Sequence, residues 1–427
     1  MTERLLQFIW QFQYFNLTDL FLISGEKLDI IHPGQLNTNQ GPDFLEARIR
    51  INETIWVGAV ELHIKEKDWN KHLHATDPNY QNVILHVVWE ASDCITRLPT
   101  LCLGDRVPKT LLNRYEQLMN DLAFVPCASS IKSIPEITWM KWKERILIER
   151  LQQKTKLINE YLLQSNHHWE ELFWWMLARN YGIKVNADAF EAIARSLPLT
   201  ILAKHKNQLI QLEALLFGQA GMLFRKFEEQ YPEMLRKEYI FLKSKYNLRQ
   251  INLPIHLLRM RPQNFPTVRL AQLAMMISQS SHLFSSIREM ESIAEVRNVL
   301  SVVANDYWHY HYLFDQYSTY KPKKLGDEMI TNIIINTIVP VLFSYGMHNK
   351  NDHYVQKGLK WLENLPAENN LIIRNWELIG IKVRSASDTQ ALIELKSSYC
   401  DVKRCLDCAV GNWIVKGESR ESRIDNH

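Results

Sequence analysis

Asp43, Glu61 and His63 have the residue types and spacing of a hydrolytic site. Asp43 follows a Gly41-Pro42 turn, and Glu61 and His63 lie two apart in the apolar run Gly58-Ala59-Val60-Glu61-Leu62-His63-Ile64. Residues two apart on an extended chain share a face, so Glu61, His63 and then Lys65 project together. Two converging carboxylates make an oxygen-rich site for Mg2+ or Mn2+. Such an ion lowers the pKa of a bound water and stabilises charge growing on a phosphate. Histidine ordinarily titrates near neutrality, so His63 suits the base that takes a proton from the attacking water, with Lys65 as the alternative. Beyond them, Trp69, His72, His74 and Asp77 crowd histidines and a carboxylate into one short stretch. There His72 and His74 suit phosphate contact, leaving-group protonation or a second metal. His86, inside the apolar run 83–88, reads instead as a hydrogen-bonded core residue, and Asp77-Pro78 as a helix cap.

The elements that must position these groups are readable. Leu5, Leu6, Ile9, Trp10 and Phe12 give residues 3–14 one apolar helical side. Residues 28–32 alternate and stop at Pro33-Gly34, and 35–43 form a polar loop. Residues 47–51 and 55–64 alternate about a tight Asn52-Glu53 turn, which predicts an antiparallel hairpin. Residues 83–89 read as a buried central strand and 98–103 as an edge strand. The expected head, residues 1–128, is an α/β domain with a mixed sheet and flanking helices. Ser129–Pro135 reads as a linker. After it, helical periodicity dominates (141–164, 169–181, 187–196, 200–217, 266–279, 287–304, 323–345, 351–365 and 391–396), so residues 129–427 are expected to form a large all-α domain.

Cys400, Cys405 and Cys408 form a C-x4-C-x2-C cluster beside Lys403 and Arg404. Three close thiols favour a soft metal, and neighbouring cations help hold thiolates. Cys127 is the best fourth ligand, with Cys94, Cys102 or a histidine as alternatives. An iron–sulfur cluster or Zn2+ is the cofactor this implies.

The net charge of +3 is unevenly spread: residues 1–125 carry 11 Lys and Arg against 16 Asp and Glu, and the remainder 39 against 31. An acidic head with a basic body suits a carboxylate metal site beside a phosphate-binding surface. Arg259, Arg261 and Arg269, around a Pro-marked turn and helix start, are the candidate clamp for a nucleic-acid backbone. Few Gly and Pro and 46% hydrophobic residues exclude a disordered or collagenous chain. No apolar run reaches the length of a membrane span and the N-terminus lacks signal-peptide features, so no membrane and a cytoplasmic location are expected. The oligomeric state stays open.

Pro42-Asp43 with Glu61-Leu62-His63 resembles the PD-(D/E)XK motif of the restriction-endonuclease-like nucleases, with His63 in place of the usual Lys. Helix, hairpin and further strand also follow in that order. The resemblance covers about a quarter of the chain and implies Mg2+-dependent hydrolysis of DNA or RNA phosphodiesters. The departure at His63 is either tolerated or marks a head that has lost activity. The stretch from Trp69 to Asp77 looks like the very-short-patch repair endonuclease branch. The cysteine spacing is similar to the iron–sulfur loop of helix-hairpin-helix DNA glycosylases, and some helicase-nucleases of the PD-(D/E)XK class carry such a cluster. Over nearly its full length, through segments such as His32-Pro33-Gly34, Gly41–Phe44, Val60–His63, Leu216–Leu223, Arg259–Arg269 and Cys400–Gly411, the chain resembles a bacterial family, domain of unknown function 2851, common in Bacteroidetes. Two functions follow: a metal-dependent nuclease, or a non-catalytic scaffold that binds nucleic acid or protein through a degenerate nuclease-like head.

Overall fold

A computed structural model describes residues 1–72, 77–92, 98–257, 262–280 and 282–417. His74, Cys94, Arg259 and Arg261 lie outside the described residues.

The chain divides into two compact units, one of Met1–Lys143, Arg374–Lys382 and Ile393–His427, the other of Glu144–Ile373 and Val383–Leu392. A cut at 128/129 therefore falls inside the first unit. The stretch read as a linker is a short 3-10 helix, Ala128–Ser133, with Ile131 and Ile134 buried. Trp139 and Trp142, just beyond, are buried too. The C-terminal cysteines also group with the head rather than with the helical region.

In the first unit, α1 (Glu3–Gln11) is capped by Thr2, whose hydroxyl accepts from the Leu5 N–H. Its Leu5, Leu6, Ile9 and Trp10 are buried, and the helix packs on the sheet at β4 (Thr54–Lys65). The sheet is mixed. β1 (Leu28–His32) and β2 (Gln35–Leu36) each pair antiparallel with β3 (Phe44–Ile51), and β3 pairs antiparallel with β4. After α2 (Asp68–Lys71), β5 (Val83–Glu90) returns parallel to β4, and β6 (Thr100–Cys102) lies parallel to β5. The hairpin closes at Asn52, whose φ of +52° is left-handed and tolerable for Asn. The expected strands are all present, within a few residues of their anticipated ends. β5 is buried over its first six residues, as a central strand should be. Helix α3 (Lys109–Asn120) packs against the last helix, named below.

Gly58 lets β4 and its neighbour approach closely. A Cβ there would meet the Asn82 carbonyl oxygen and Ile84 Cγ2, both at 2.5 Å. Gly58→Ala is expected to destabilise the protein by about 1–3 kcal/mol, the usual cost of overpacking, measured by urea denaturation.

The chain continues through α4 (Glu136–Gln164), α5 (Trp169–Tyr181), α6 (Ile183–Ser196), α7 (Leu199–Lys204), α8 (Leu209–Gln219), α9 (Gln230–Tyr246), α10 (Pro266–Gln279), α11 (Leu283–Glu289), α12 (Ile293–Leu300) and α13 (Asp306–His309). A short antiparallel pair follows, β7 (His311–Leu313) and β8 (Gln316–Tyr317). Then come α14 (Asp327–Ile333), a π-helical turn (Ile334–Ile338), α15 (Val339–His348), α16 (Asp352–Asn364), α17 (Leu371–Leu378), α18 (Ala386–Leu395), a second π turn (Lys396–Cys400) and α19 (Ala409–Lys416). The second unit is helical, as expected, apart from the small β7–β8 pair. The continuous helix expected over 287–304 is broken. Ser292 ends the gap by accepting from the Glu295 N–H and donating its hydroxyl to the Glu295 carboxylate, at a Ser-x-x-Glu stretch of the kind that opens helices. Likewise 200–217 is two helices, α7 and α8. Helix α9 was not anticipated, because charges crowd its apolar positions Leu235, Tyr239 and Leu242. The stretch Asp327–His348 is long and apolar enough to cross a membrane, and 78% of its apolar window is buried.

Candidate functional site

The loop before β3 turns at Gly41, whose φ of +111° suits only glycine, and delivers Asp43 half-buried beside β4. There the two candidate carboxylates interlock. The Asp43 N–H donates to Glu61 Oε2 at 3.0 Å, and the Leu62 N–H donates to Asp43 Oδ2 at 3.0 Å. Gln7 on α1 donates from Nε2 to Asp43 Oδ1 at 2.7 Å. Glu61 is buried on β4, and its Oε1 lies 3.6 Å from Nε2 of His63, on the same strand face. The expected grouping of Asp43, Glu61 and His63 therefore stands in the geometry.

Burial dominates the electrostatics of the pair. It pushes the Glu61 carboxyl up to about 8, reinforced by the charge of Asp43 and opposed by the bond from the Asp43 N–H. Asp43 rises to about 6 for the same first reason, opposed by the bonds from Leu62 and Gln7. Near neutrality the two groups together hold about one negative charge, a property of the pair rather than of either residue.

Three imidazoles run away from the acids. His63 Nδ1 lies 3.0 Å from His86 Nε2, and His63 Nε2 lies 3.3 Å from His72 Nδ1. His72, at the end of α2, is exposed, while His63 and His86 are buried. Trp69 is buried beside them, with its ring 5.4 Å from that of His86 and 6.1 Å from that of Tyr80. The Tyr80 hydroxyl is pushed up to about 12 by burial and then by the charges of Glu61, Asp43 and Asp77. Asp77 caps the short 3-10 turn Pro78–Tyr80 by accepting from the Asn79 N–H, as expected. Lys65 is exposed at the strand end, 3.9 Å from Glu90.

Gln7, Tyr80 and the bond between His63 and His86 were not anticipated. His86 is a core residue, fully buried as expected, and also a neighbour of the acids, because β4 and β5 pair with Glu61 opposite His86.

Of the Arg candidates, only Arg269 is described. It is not on an exposed clamp: it is 5% exposed in the second unit. It donates to Asn264 Oδ1 at 2.7 Å and Gln272 Oε1 at 3.2 Å. The reason is that α10 is buried nearly all round, from Pro266 through Ala274.

The cysteines gather in the first unit. Cys127, Cys405 and Cys408 are buried and free, and Cys400 is half-buried and free. Burial, and after it Cys408 and Cys405, pushes the Cys127 thiol up to about 12. Burial raises Cys400 further, with Cys127, Cys408 and Cys405 adding to it and Lys396 opposing. Cys408 precedes α19 and takes bonds from the Gly411 and Val410 N–H groups. Cys102, an alternative fourth ligand, is on β6 and bonds the Trp89 carbonyl. Among the described residues, no three His, Cys, Asp or Glu side chains stand already arrayed about one point as metal ligands.

No curated protein and no solved structure matches the chain. A family model does match it over residues 3–371, so the chain belongs to the family described as protein of unknown function (DUF2851).

Proposed function

We propose that the protein is a metal-dependent nuclease that hydrolyses DNA or RNA phosphodiesters in the cytoplasm, with a restriction-endonuclease-like head. The observation that carries this reading is the interlocked pair Asp43 and Glu61, two carboxylates held together at the cost of mutual repulsion. The donor chemistry fits a hard divalent cation. Each carboxylate oxygen that takes one hydrogen bond keeps a second lone pair, and a cation there would offset the burial and repulsion that now favour protons on the pair. Mg2+ or Mn2+ held by Asp43 and Glu61 would supply an acidified water and charge neutralisation at the phosphate. The chain's own groups do the rest. His63 accepts a proton, its ring oriented by His86. His72, exposed and 3.3 Å from His63, would contact phosphate or pass the proton on. The PD-(D/E)XK resemblance and the order of helix, hairpin and parallel strands support the same reading. Of the other nucleic-acid contacts expected, Arg269 is withdrawn from a surface role by its burial.

A second reading, a non-catalytic scaffold, is favoured by the same bonds: they also tie the start of β3 to β4, a structural task. Incubation of the purified chain with Mg2+ or Mn2+ and plasmid, single-stranded DNA or RNA separates the two. Cleavage of at least one substrate is expected, with loss of about 100-fold or more in the Asp43→Ala, Glu61→Ala double variant. No cleavage, or a double variant that cuts as well as the parent, leaves the scaffold.

A further inference from the structure

The second unit contains a cavity of about 960 Å3 between α4, α5, α6, α10, α14 and the first π turn. That volume is at the upper end for a small-molecule site. Its charge is unbalanced. Arg179 on the wall is neutralised by Asp188 at 2.6 Å and Glu191 at 2.7 Å. That leaves Lys154, Lys184, Arg269 and Lys324 facing the cavity against Asp327 and Glu328.

Arg269 is the informative member. It is 5% exposed, yet both its partners, Asn264 and Gln272, are neutral amides. Its Nε has no hydrogen-bond partner among the described residues. A buried guanidinium ordinarily has a carboxylate beside it, because an uncompensated buried charge is costly. Burial accordingly lowers its affinity for the proton. A second lining residue repeats the pattern. Asn180 donates to Thr337 Oγ1 at 3.1 Å while its own Oδ1 has no partner among the described residues. Buried polar atoms without partners are uncommon enough to need an explanation.

The backbone points the same way. Asn336 and Thr337 reach the cavity from the π turn Ile334–Ile338. Such turns break the regular helical hydrogen-bond register and concentrate at functional sites. Asn336 Oδ1 accepts from Lys154 Nζ at 3.1 Å, which fixes that ammonium at the wall.

We propose that this cavity binds a small phosphate monoester of nucleotide or sugar-phosphate size. The dianion would pair with the Arg269 guanidinium, which lines the cavity, with the lysines supplying the remaining charge. Asn180 Oδ1, Asp327 and Glu328 are acceptors suited to the hydroxyl groups of the esterified sugar. The site is independent of the carboxylate pair in the first unit.

The test is thermal denaturation and titration calorimetry of the full chain at constant ionic strength. The probes are inorganic phosphate, a nucleoside monophosphate, a hexose phosphate and the unphosphorylated nucleoside. One of the two esters is expected to raise Tm by several degrees at about 100-fold excess over its Kd, and which one does so distinguishes nucleotide from sugar phosphate. The nucleoside is expected to have no effect. Arg269→Met should abolish the shift and, because it removes a buried charge lacking an anion, should melt no lower than the parent without ligand. The idea fails if neither ester shifts Tm at millimolar concentration, if the nucleoside acts as well as the ester, or if Arg269→Met keeps the shift. Should Arg269→Met not fold, Lys324→Met at an exposed position must weaken ester binding about threefold or more; unchanged affinity there also overturns the site.

Discussion

Glu61→Gln is expected to stabilise the protein at pH 8.5 and to leave it unchanged at pH 5. The folded carboxyl is raised from 4.5 to about 8, by burial first and by Asp43 second. Between those values the folded state binds more protons than the unfolded chain, so the parent loses stability as pH rises through that window. One pKa unit is worth about 1.4 kcal/mol, which caps the effect near 5 kcal/mol, and water entry and relaxation reduce it to roughly 2–3 kcal/mol. Glutamine keeps the shape and an acceptor for the Asp43 N–H while removing the charge. The measurement is urea denaturation of both proteins at the two pH values. A variant no more stable than the parent at pH 8.5 would show that Glu61 is not held against ionisation. The same pair of proteins separates burial from cation binding. If Asp43 and Glu61 take Mg2+ or Mn2+, the ion should raise the parent's Tm at pH 8.5 more than at pH 5, because protons and metal compete. That increment should vanish in Glu61→Gln.

What the sequence could and could not reveal follows from the range of each interaction. The β3–β4 hairpin is legible because alternation and the Asn52-Glu53 turn are local signals, and the hairpin alone places Asp43 near Glu61. The relation of Glu61 to His86 is not local. It depends on parallel pairing across a connection of many residues, which leaves no turn signature. Gln7 shows the same limit: the apolar side of α1 is plain, but which polar residue of its border meets Asp43 depends on how the helix lies on the sheet. Arg269 was misjudged for a different reason. Its basic neighbourhood suggested a surface, whereas the run Leu270, Ala271, Leu273, Ala274 already marks a helix apolar on several sides and hence buried.

The four thiols lead to the second large effect. Cys127, Cys400, Cys405 and Cys408 come from two distant parts of the sequence into one unit, and each is held in the neutral form chiefly by burial, with the other thiols adding to it at Cys127, Cys400 and Cys405. Replacing four protons by one soft cation would turn the repulsion that four bare thiolates would suffer into shared attraction. The surroundings are suited to thiolates: the Val410 and Gly411 N–H groups bond Cys408, and the charges of Lys396 and Lys403 favour the thiolates of Cys400 and Cys405. Gly411 is required for this, since a Cβ there would lie 2.0 Å from the Cys405 carbonyl oxygen. The expected result is that anaerobically purified protein carries zinc or an iron–sulfur cluster, detected by elemental analysis and visible absorbance. Loading the metal-free chain with Zn2+ should release about four protons near pH 7. At free zinc near 1,000 times Kd the gain would be about 4 kcal/mol, or roughly 10 °C in Tm. Because the sulfurs are not yet arrayed about one point, part of this gain is spent turning them inward. Cys405→Ser should lose both the metal and the stabilisation, whereas Cys102→Ser, whose thiol bonds the Trp89 carbonyl, should keep them. A chain purified without zinc or iron whose Tm ignores added Zn2+ would reduce the four cysteines to core packing, with burial alone accounting for their raised pKa values.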